Sequence, residues 1–223
     1  MIKFKFLIIL WFIYLSAFSQ EKKEKPTNNP YKFNIGANIG FCKYQIKYND
    51  TYLLPMFSTI NDAGDNVKLY VDYSIFKRLA MGFSFEHNGF INQHNSSSDT
   101  VESFNTVSSS NICISVKFKF LNKNQNNLYL EILPVYSWLA IKNQSHFPYE
   151  ITSNGFGFQT ALGWNHFFNK HFGFNLHSSY TAIKYKSNIN NSDPFMANLY
   201  YNPQTINLEY TGFVSSLGLL VRF

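Results

Sequence analysis

The segment YKFNIGANIGFC, residues 31–42, alternates strictly between two kinds of side chain. Tyr, Phe, Ile, Ala, Ile and Phe hold the odd positions, and Lys, Asn, Gly, Asn, Gly and Cys hold the even ones. Successive side chains of a β-strand point to opposite faces, so this alternation predicts a strand with one apolar face. The pattern returns in seven later segments, at residues 67–75, 79–86, 111–120, 128–138, 156–165, 172–180 and 213–223. The sequence therefore predicts an all-β chain of eight strands.

The links between these segments alternate in length. Transmembrane β-barrels have short turns on one side of the membrane and longer loops on the other. With an even number of strands, both chain ends then lie on the short-turn, periplasmic side, and the long links face out of the cell. This predicts an eight-stranded antiparallel transmembrane β-barrel. The short links are residues 76–78, 121–127 and 169–171, and the long links are residues 49–66, 94–106, 144–154 and 186–205.

The first residues have the features of a cleaved secretory signal peptide. Two lysines precede an apolar run over residues 6–15, and Ala17-Phe18-Ser19 forms a small-x-small cleavage pattern before Gln20. The apolar run is shorter than the roughly 20 residues of a spanning helix, which disfavours a membrane anchor. A polar, charged stretch with two prolines follows and is expected to be disordered. The predicted divisions are a signal peptide at 1–19, a lead-in at 20–30 and a barrel domain at 31–223.

The composition is unusual for a soluble protein. Aromatic residues make up 19% of the chain and charged residues only 14%, with a mean hydropathy of -0.18. Soluble domains are usually about 25% charged. A wall that is apolar on one side and polar on the other accounts for this balance. The net charge of +6 comes without a basic cluster beyond Lys22-Lys23, so nucleic-acid binding is not expected.

A soluble eight-stranded barrel is the competing architecture. It would place the apolar faces inside and the other faces in water. Its outer wall would then carry many glycines, whereas small residues suit the inner wall of a narrow barrel because they leave room for larger side chains opposite. We therefore expect the glycine-bearing faces to point inward, at Gly36, Gly40, Gly82, Gly157, Gly163 and Gly173.

The C-terminal segment Leu217–Phe223 alternates apolar residues and ends on phenylalanine, and strand-turn-strand phrases recur at residues 71–83 and 164–174. In these features the barrel domain resembles the OmpA-like and porin-like β-barrels common among outer-membrane proteins of the Bacteroidetes group. The resemblance implies residence in the cell outer membrane, contact with its lipid and lipopolysaccharide, and recognition of the last strand by the outer-membrane assembly machinery. It specifies no activity.

The predicted inner face carries charges of both signs. The interior of an eight-stranded barrel is only wide enough to be filled by side chains. Buried charges are costly unless paired, so mixed signs favour an internal network over a narrow conduit or a ligand site near one mouth. The residues concerned are Lys68, Asp72, Glu86, Lys117, Lys119, Glu131, His177 and Arg222.

The segment His177-Ser178-Ser179 is the best candidate for a catalytic site, because its His-x-Ser pair resembles that of outer-membrane lipid A deacylases. Those enzymes act on lipid and need the pair on the membrane side. The strand phase here places His177 and Ser179 in the lumen, and the sequence shows no matched acidic partner. We interpret His177 as a hydrogen-bonded interior residue and expect no enzyme activity, no catalytic residues and no cofactor.

Two cysteines and a pair of aspartates are further candidate sites. Cys42 and Cys113 fall on the inner face of non-neighbouring strands. Export permits a disulfide, but bridging needs Cα atoms within about 7 Å, so two buried free thiols are favoured. Asp62 and Asp65, around Gly64, lack the rest of a calcium loop, and no metal site is expected.

Two places depart from regular alternation. Pro134 lies inside the fifth segment, where it removes a ladder hydrogen bond, and it predicts a bulge or kink. Ile206, Leu208 and Tyr210 are out of phase with the last strand, and a bulge near Gly212 would reconcile them.

The expected function is that of an integral outer-membrane barrel with a filled lumen and a structural or surface-interaction role. The long links are rich in Asn, Ser and Tyr, and the first contains the apolar patch Leu53-Leu54-Pro55-Met56-Phe57, so a protein partner on the extracellular side is possible. Three alternatives stay open: a narrow channel or small-solute transporter, a lipid-modifying enzyme, and an accessory subunit of a secretion machine.

Overall fold

A computed structural model describes residues 32–48, 59–94, 103–123, 125–143, 149–188 and 205–223. The strands are β1 (Phe33–Tyr48), β2 (Thr59–Ser74), β3 (Leu79–His94), β4 (Ser103–Asn122), β5 (Asn126–Asn143), β6 (Tyr149–Phe167), β7 (Phe172–Asn188) and β8 (Thr205–Arg222). Each strand pairs antiparallel with its sequence neighbours, and β8 pairs with β1 to close the barrel. Within these ranges the chain forms no helix suited to crossing a membrane. The predicted eight-stranded antiparallel barrel is confirmed.

Both ends of the described chain lie at the short-turn end of the barrel. The Lys32 amide donates a hydrogen bond to the Phe223 carbonyl at 2.8 Å. The signal peptide and the lead-in lie outside the described residues and stay predictions, as does the apolar patch at residues 53–57. The same holds for the tips of the long links, at residues 49–58, 95–102, 144–148 and 189–204.

An apolar belt surrounds the half of the barrel nearer the short turns. Its outward side chains are largely exposed, and among them Ile39 and Phe41 are 72% and 77% exposed. Seven of its eight strand stretches are nine to eleven residues long, close to the roughly 9–11 residues of a tilted transmembrane strand. The belt therefore matches the hydrocarbon core of a bilayer. It is formed by the outward side chains of residues 33–41, 67–75, 79–85, 112–120, 128–138, 156–164, 172–182 and 213–223.

The strands continue past the belt toward the long links with the opposite polarity, and we call this part the upper barrel. On β1 the outward residues become Lys43 and Lys47, whereas Tyr44 and Ile46 point inward and are buried. The phase of the alternation is unchanged. The chemistry of the two faces is exchanged on β1, β5, β7 and β8, whereas β2, β3, β4 and β6 also place polar residues inside the upper barrel, at Asn66, Asn88, Ser109 and Ser153. Outside a bilayer the outer face meets water, so the apolar side chains must lie inside.

The long links are shorter than predicted, because the strands of the upper barrel extend into residues that the alternation assigned to the links. The alternation predicts the first link at residues 49–66, but β2 already begins at Thr59. Likewise β4 begins at Ser103, β6 begins at Tyr149 and β7 continues to Asn188. The described outward residues there include Asp65, Thr152 and Lys186, so these strand ends had the composition of loops. Asp62, Gly64 and Asp65 consequently lie in β2 rather than in a calcium-type loop.

The bulge predicted near Gly212 is wrong. The register between β8 and β1 runs without a shift from Leu208 to Arg222, and the register between β8 and β7 is equally continuous. Leu208 and Tyr210 point into the upper barrel and are fully buried. Their departure from the pattern therefore reflects the exchange of polarity above the belt, and no residue is inserted.

A bulge or kink was expected at Pro134, and the register shows no bulge there. Pairing between β4 and β5 skips Ile114 and Ser115, opposite Pro134 and Leu133, but the register is the same on both sides. The interruption follows from the missing amide hydrogen of proline. The register shift in this ladder lies instead between Lys119 and Leu121, near the short-turn end.

The inward glycines make room for tyrosine rings on the neighbouring strand. Gly163 pairs with Tyr129, and Gly212 pairs with Tyr44. A β-carbon at either glycine would overlap the tyrosine ring opposite. The expectation that small residues line the inside to accommodate larger ones is confirmed at these pairs, where each tyrosine ring lies over the glycine of the neighbouring strand.

Candidate functional site: the barrel lumen

A buried network of charges occupies the middle of the lumen. Nζ of Lys117 lies 2.7 Å from Asp72 Oδ2 and 3.4 Å from Glu131 Oε1. The second carboxylate oxygen of Glu131 is 3.8 Å from Lys68 Nζ and 3.2 Å from His177 Nε2. Nε2 of His177 is also 3.2 Å from Lys68 Nζ. All five side chains are at most 5% exposed, so the network is screened from solvent.

The network joins strands that are not neighbours in the wall. Lys68 is on β2, Glu131 on β5 and His177 on β7, so their contacts cross the lumen. The ammonium of Lys117 also lies 4.6 Å and 4.9 Å from the ring centres of Tyr70 and Tyr129. These cation–π contacts further stabilise the Lys117 ammonium, which is buried away from water.

Two further sets of polar side chains extend this filling. Glu86 on β3 accepts a hydrogen bond from Gln159 on β6 at 3.2 Å, and Gln159 also donates to Ser179 at 2.8 Å. Asn38 on β1 donates to Asn175 on β7 at 2.6 Å. Both sets again connect non-neighbouring strands, so the polar interior is cross-linked rather than arranged around an open centre.

Aromatic rings fill the upper barrel. The ring centre of Tyr44 lies 4.5 Å from that of Tyr210 and 5.4 Å from that of Phe90. The Tyr185 hydroxyl is 2.6 Å from the Ser137 hydroxyl, and its ring lies 6.1 Å from Tyr210. Together with the surrounding aliphatic residues they form a buried apolar cluster. The Ser109 hydroxyl lies 3.5 Å from the Tyr210 hydroxyl, so the cluster also meets buried polar groups of the upper barrel.

Arg222 and Lys119 lie near the short-turn mouth. The Arg222 guanidinium stacks 3.8 Å from the centre of the buried Phe167 ring, and its Nε donates to the Lys170 carbonyl at 2.7 Å. Lys119 donates to the Ser74 hydroxyl at 2.9 Å. The sequence placed both charges on the inner face, and the structure puts them at the mouth of the lumen.

His177 and Ser179 face the lumen, as predicted, but the expectation that His177 has no acidic partner is wrong. The partner is Glu131, whose Oε2 lies 3.2 Å from His177 Nε2 although the two residues are 46 positions apart in the chain. The Ser179 hydroxyl accepts a hydrogen bond from Gln159. Sequence spacing could not reveal the Glu131 contact, since only closure of the barrel brings β5 opposite β7.

Cys42 and Cys113 are both buried and both free, in agreement with the favoured prediction. Cys42 donates a hydrogen bond from Sγ to the Asp65 carbonyl at 3.3 Å. Over the part of the chain that the structure describes, His, Cys, Asp and Glu residues form no group of three that could hold a metal ion.

No protein-family model and no curated protein sequence matches the chain. Among solved structures, the outer membrane protein AlkL in lipid bilayers is 11% identical with a TM-score of 0.52, covering 92% of this chain and 96% of AlkL. Neisserial surface protein A is 14% identical with a TM-score of 0.51, covering 86% and 97%. The fold is that of an outer-membrane β-barrel. It points, together with the apolar belt, to the cell outer membrane.

A third similar structure is the outer membrane protease OmpT from Escherichia coli. It is 9% identical with a TM-score of 0.48, covering 90% of this chain and 99% of OmpT. That similarity concerns the general form of the barrel and carries no argument about activity. The finer resemblance to Bacteroidetes-type barrels stays a prediction.

Proposed function

We propose that the protein is an integral outer-membrane barrel with a closed lumen and a structural or surface-interaction role. The observation that carries this proposal is the set of contacts across the lumen between non-neighbouring strands. They include Lys68–Glu131, Glu86–Gln159 and Asn38–Asn175 in the polar part. Tyr44–Phe90 is such a contact in the upper barrel. A solute on the barrel axis would have to break these contacts in succession.

The upper barrel supports a role at the cell surface. It extends the wall past the belt with its own buried core, so the four long links start from a rigid rim rather than from the bilayer surface. Binding sites often lie on loops that a rigid scaffold holds in place. We place the long links outside the cell and the short turns in the periplasm, following the usual loop asymmetry of such barrels.

The narrow-channel alternative would require a continuous polar path. The hydrogen bonds that run from Glu86 through Asn88 and Ser109 lead to the Tyr210 hydroxyl, and Tyr210 is fully buried in the apolar cluster of the upper barrel with Ile141 and Leu208. Moving a charged solute through an apolar, dry layer is strongly unfavourable. This arrangement favours the closed lumen.

A lipid-modifying role has no support from the placement of the candidate pair. His177 and Ser179 are 4% and 1% exposed inside the lumen, and acyl chains are on the opposite face of the wall. Contact with the assembly machinery is proposed through β8 and the exposed Phe223 that follows it.

Conductance across a planar lipid bilayer tests the closed lumen. Correct insertion is first shown by faster gel migration of the unboiled protein. The wild-type protein is expected to give no discrete current steps over the voltage range in which porins conduct. Reproducible current steps that disappear when the protein is omitted would overturn the proposal in favour of a channel.

A further inference from the structure

A depression of about 670 Å³ interrupts the outer wall at the end of the belt nearer the long links. It runs across β4 to β8 on the outside of the barrel. Pro134, Phe158, Ala182 and Thr211 lie side by side in one of its rows, since each pairs with the next across adjacent strands. The volume is within the roughly 300–1,000 Å³ range of small-molecule sites.

The depression exists because this row combines small and large side chains. Pro134, Ala182 and Thr211 project little from the wall. The rings of Phe156 and Phe158, by contrast, stand out and are 72% and 66% exposed. Belt positions elsewhere on β7 carry Phe172, Phe174 and Leu176, so the row leaves a slot with apolar walls where a smooth surface would otherwise be.

A cationic group stands at the end of this slot nearer the long links. Lys184 lines the slot, pairs with Phe156 in the β6–β7 ladder, and has a side chain that is 84% exposed. Glu209 is its neighbour on β8, with Oε1 3.5 Å from Lys184 Nζ. Lys186 follows on the same face of β7 and is also exposed. The slot therefore runs from an apolar floor to the Lys184–Glu209 ion pair, next to which Lys186 adds a second ammonium group.

We propose that this wall slot binds one acyl chain of a phosphate-bearing outer-leaflet lipid, with the phosphate beside Lys184. An acyl chain fits an elongated apolar slot that opens toward the bilayer, and an ammonium forms charge-assisted hydrogen bonds with phosphate oxygens. The charge lies where the belt gives way to polar wall, which is the depth of lipid headgroups. The inference rests on the proposed orientation of the barrel and is independent of whether the lumen conducts.

Native mass spectrometry of the detergent-extracted protein tests the slot, with bis-phosphorylated lipid A as the probe and diacylglycerol as the phosphate-free comparison. Ala182→Phe fills the slot and is expected to lower the affinity for lipid A at least about tenfold, the effect of losing burial of about two methylene groups. Ala37→Phe is the matched control, because Ala37 is an exposed belt residue on β1 that does not line the slot. It should leave the affinity unchanged.

A second set of three variants tests the phosphate contact. Lys184→Gln should weaken lipid A binding severalfold without affecting diacylglycerol, whereas Lys43→Gln, an exposed lysine on β1 outside the slot, should change neither. Glu209→Gln removes the carboxylate beside Lys184 and should strengthen lipid A binding.

Equal losses in Ala182→Phe and Ala37→Phe, or equal effects of Lys184→Gln and Lys43→Gln, would overturn the proposal and indicate only general contact with surrounding lipid. Faster migration of each unboiled variant on a gel verifies folding. Since the substituted residues are on the outer wall, none of these readouts depends on conductance through the lumen.

Discussion

Replacing Glu131 with glutamine is expected to destabilise the folded barrel by about 3 kcal/mol. Its carboxylate is 1% exposed and lies within 4 Å of Lys117, Lys68 and His177. Removing one partner of a buried ion pair costs about 3–5 kcal/mol, because the other charge stays buried without compensation. Lys117 keeps Asp72 at 2.7 Å, so the uncompensated charge is that of Lys68, and the low end of the range applies.

Urea unfolding of the vesicle-inserted protein measures this effect, with Trp138 and Trp164 on the outer wall as fluorescent reporters. A lower midpoint with an unchanged slope is expected, since the same surface is exposed on unfolding. The double variant Lys68→Met with Glu131→Gln removes both charges and should recover most of the lost stability. A Glu131→Gln midpoint equal to that of wild type would refute the reasoning, as would a double variant less stable than Glu131→Gln alone.

Two further predictions concern the membrane boundary and the packing of the upper barrel. In intact cells, a membrane-impermeant maleimide should label Lys43→Cys but leave Ile39→Cys unlabelled, because the belt ends between them; labelling of both would place the boundary elsewhere. Gly212→Ala should destabilise by about 1–3 kcal/mol in urea unfolding, since its β-carbon meets the Tyr44 ring. Gly89→Ala is the matched control, with no atom within 4 Å of the added carbon, and should change stability little; equal losses would contradict the packing argument.

The belt was predictable from the sequence because its determinant is local. Side chains of a strand alternate with period two whatever its partners are, so Ile35 and Asn38 could be assigned to opposite faces from their positions alone. The same rule placed Lys68, Glu131 and His177 in the lumen, where the structure has them buried. The phase of each strand thus determines which charged residues face the lumen.

The contacts among those charges were not predictable in the same way. The Glu131–His177 pair depends on barrel closure, which places β5 opposite β7 across the lumen. Nothing in the spacing of the two residues encodes that distance. The stacking of Tyr44 on Tyr210 depends likewise on the register between β1 and β8.

The sequence by itself determined the number of strands, the direction of each side chain and the apolar belt. Only the tertiary structure decided where the strands end, because the polarity of the two faces is exchanged above the belt, where water replaces lipid outside the wall. Leu208 and Tyr210 illustrate the difference: they break the belt pattern, yet they keep the strand phase and are buried in the upper barrel. A residue's direction is fixed by its own strand, whereas the medium it faces depends on how all eight strands are assembled.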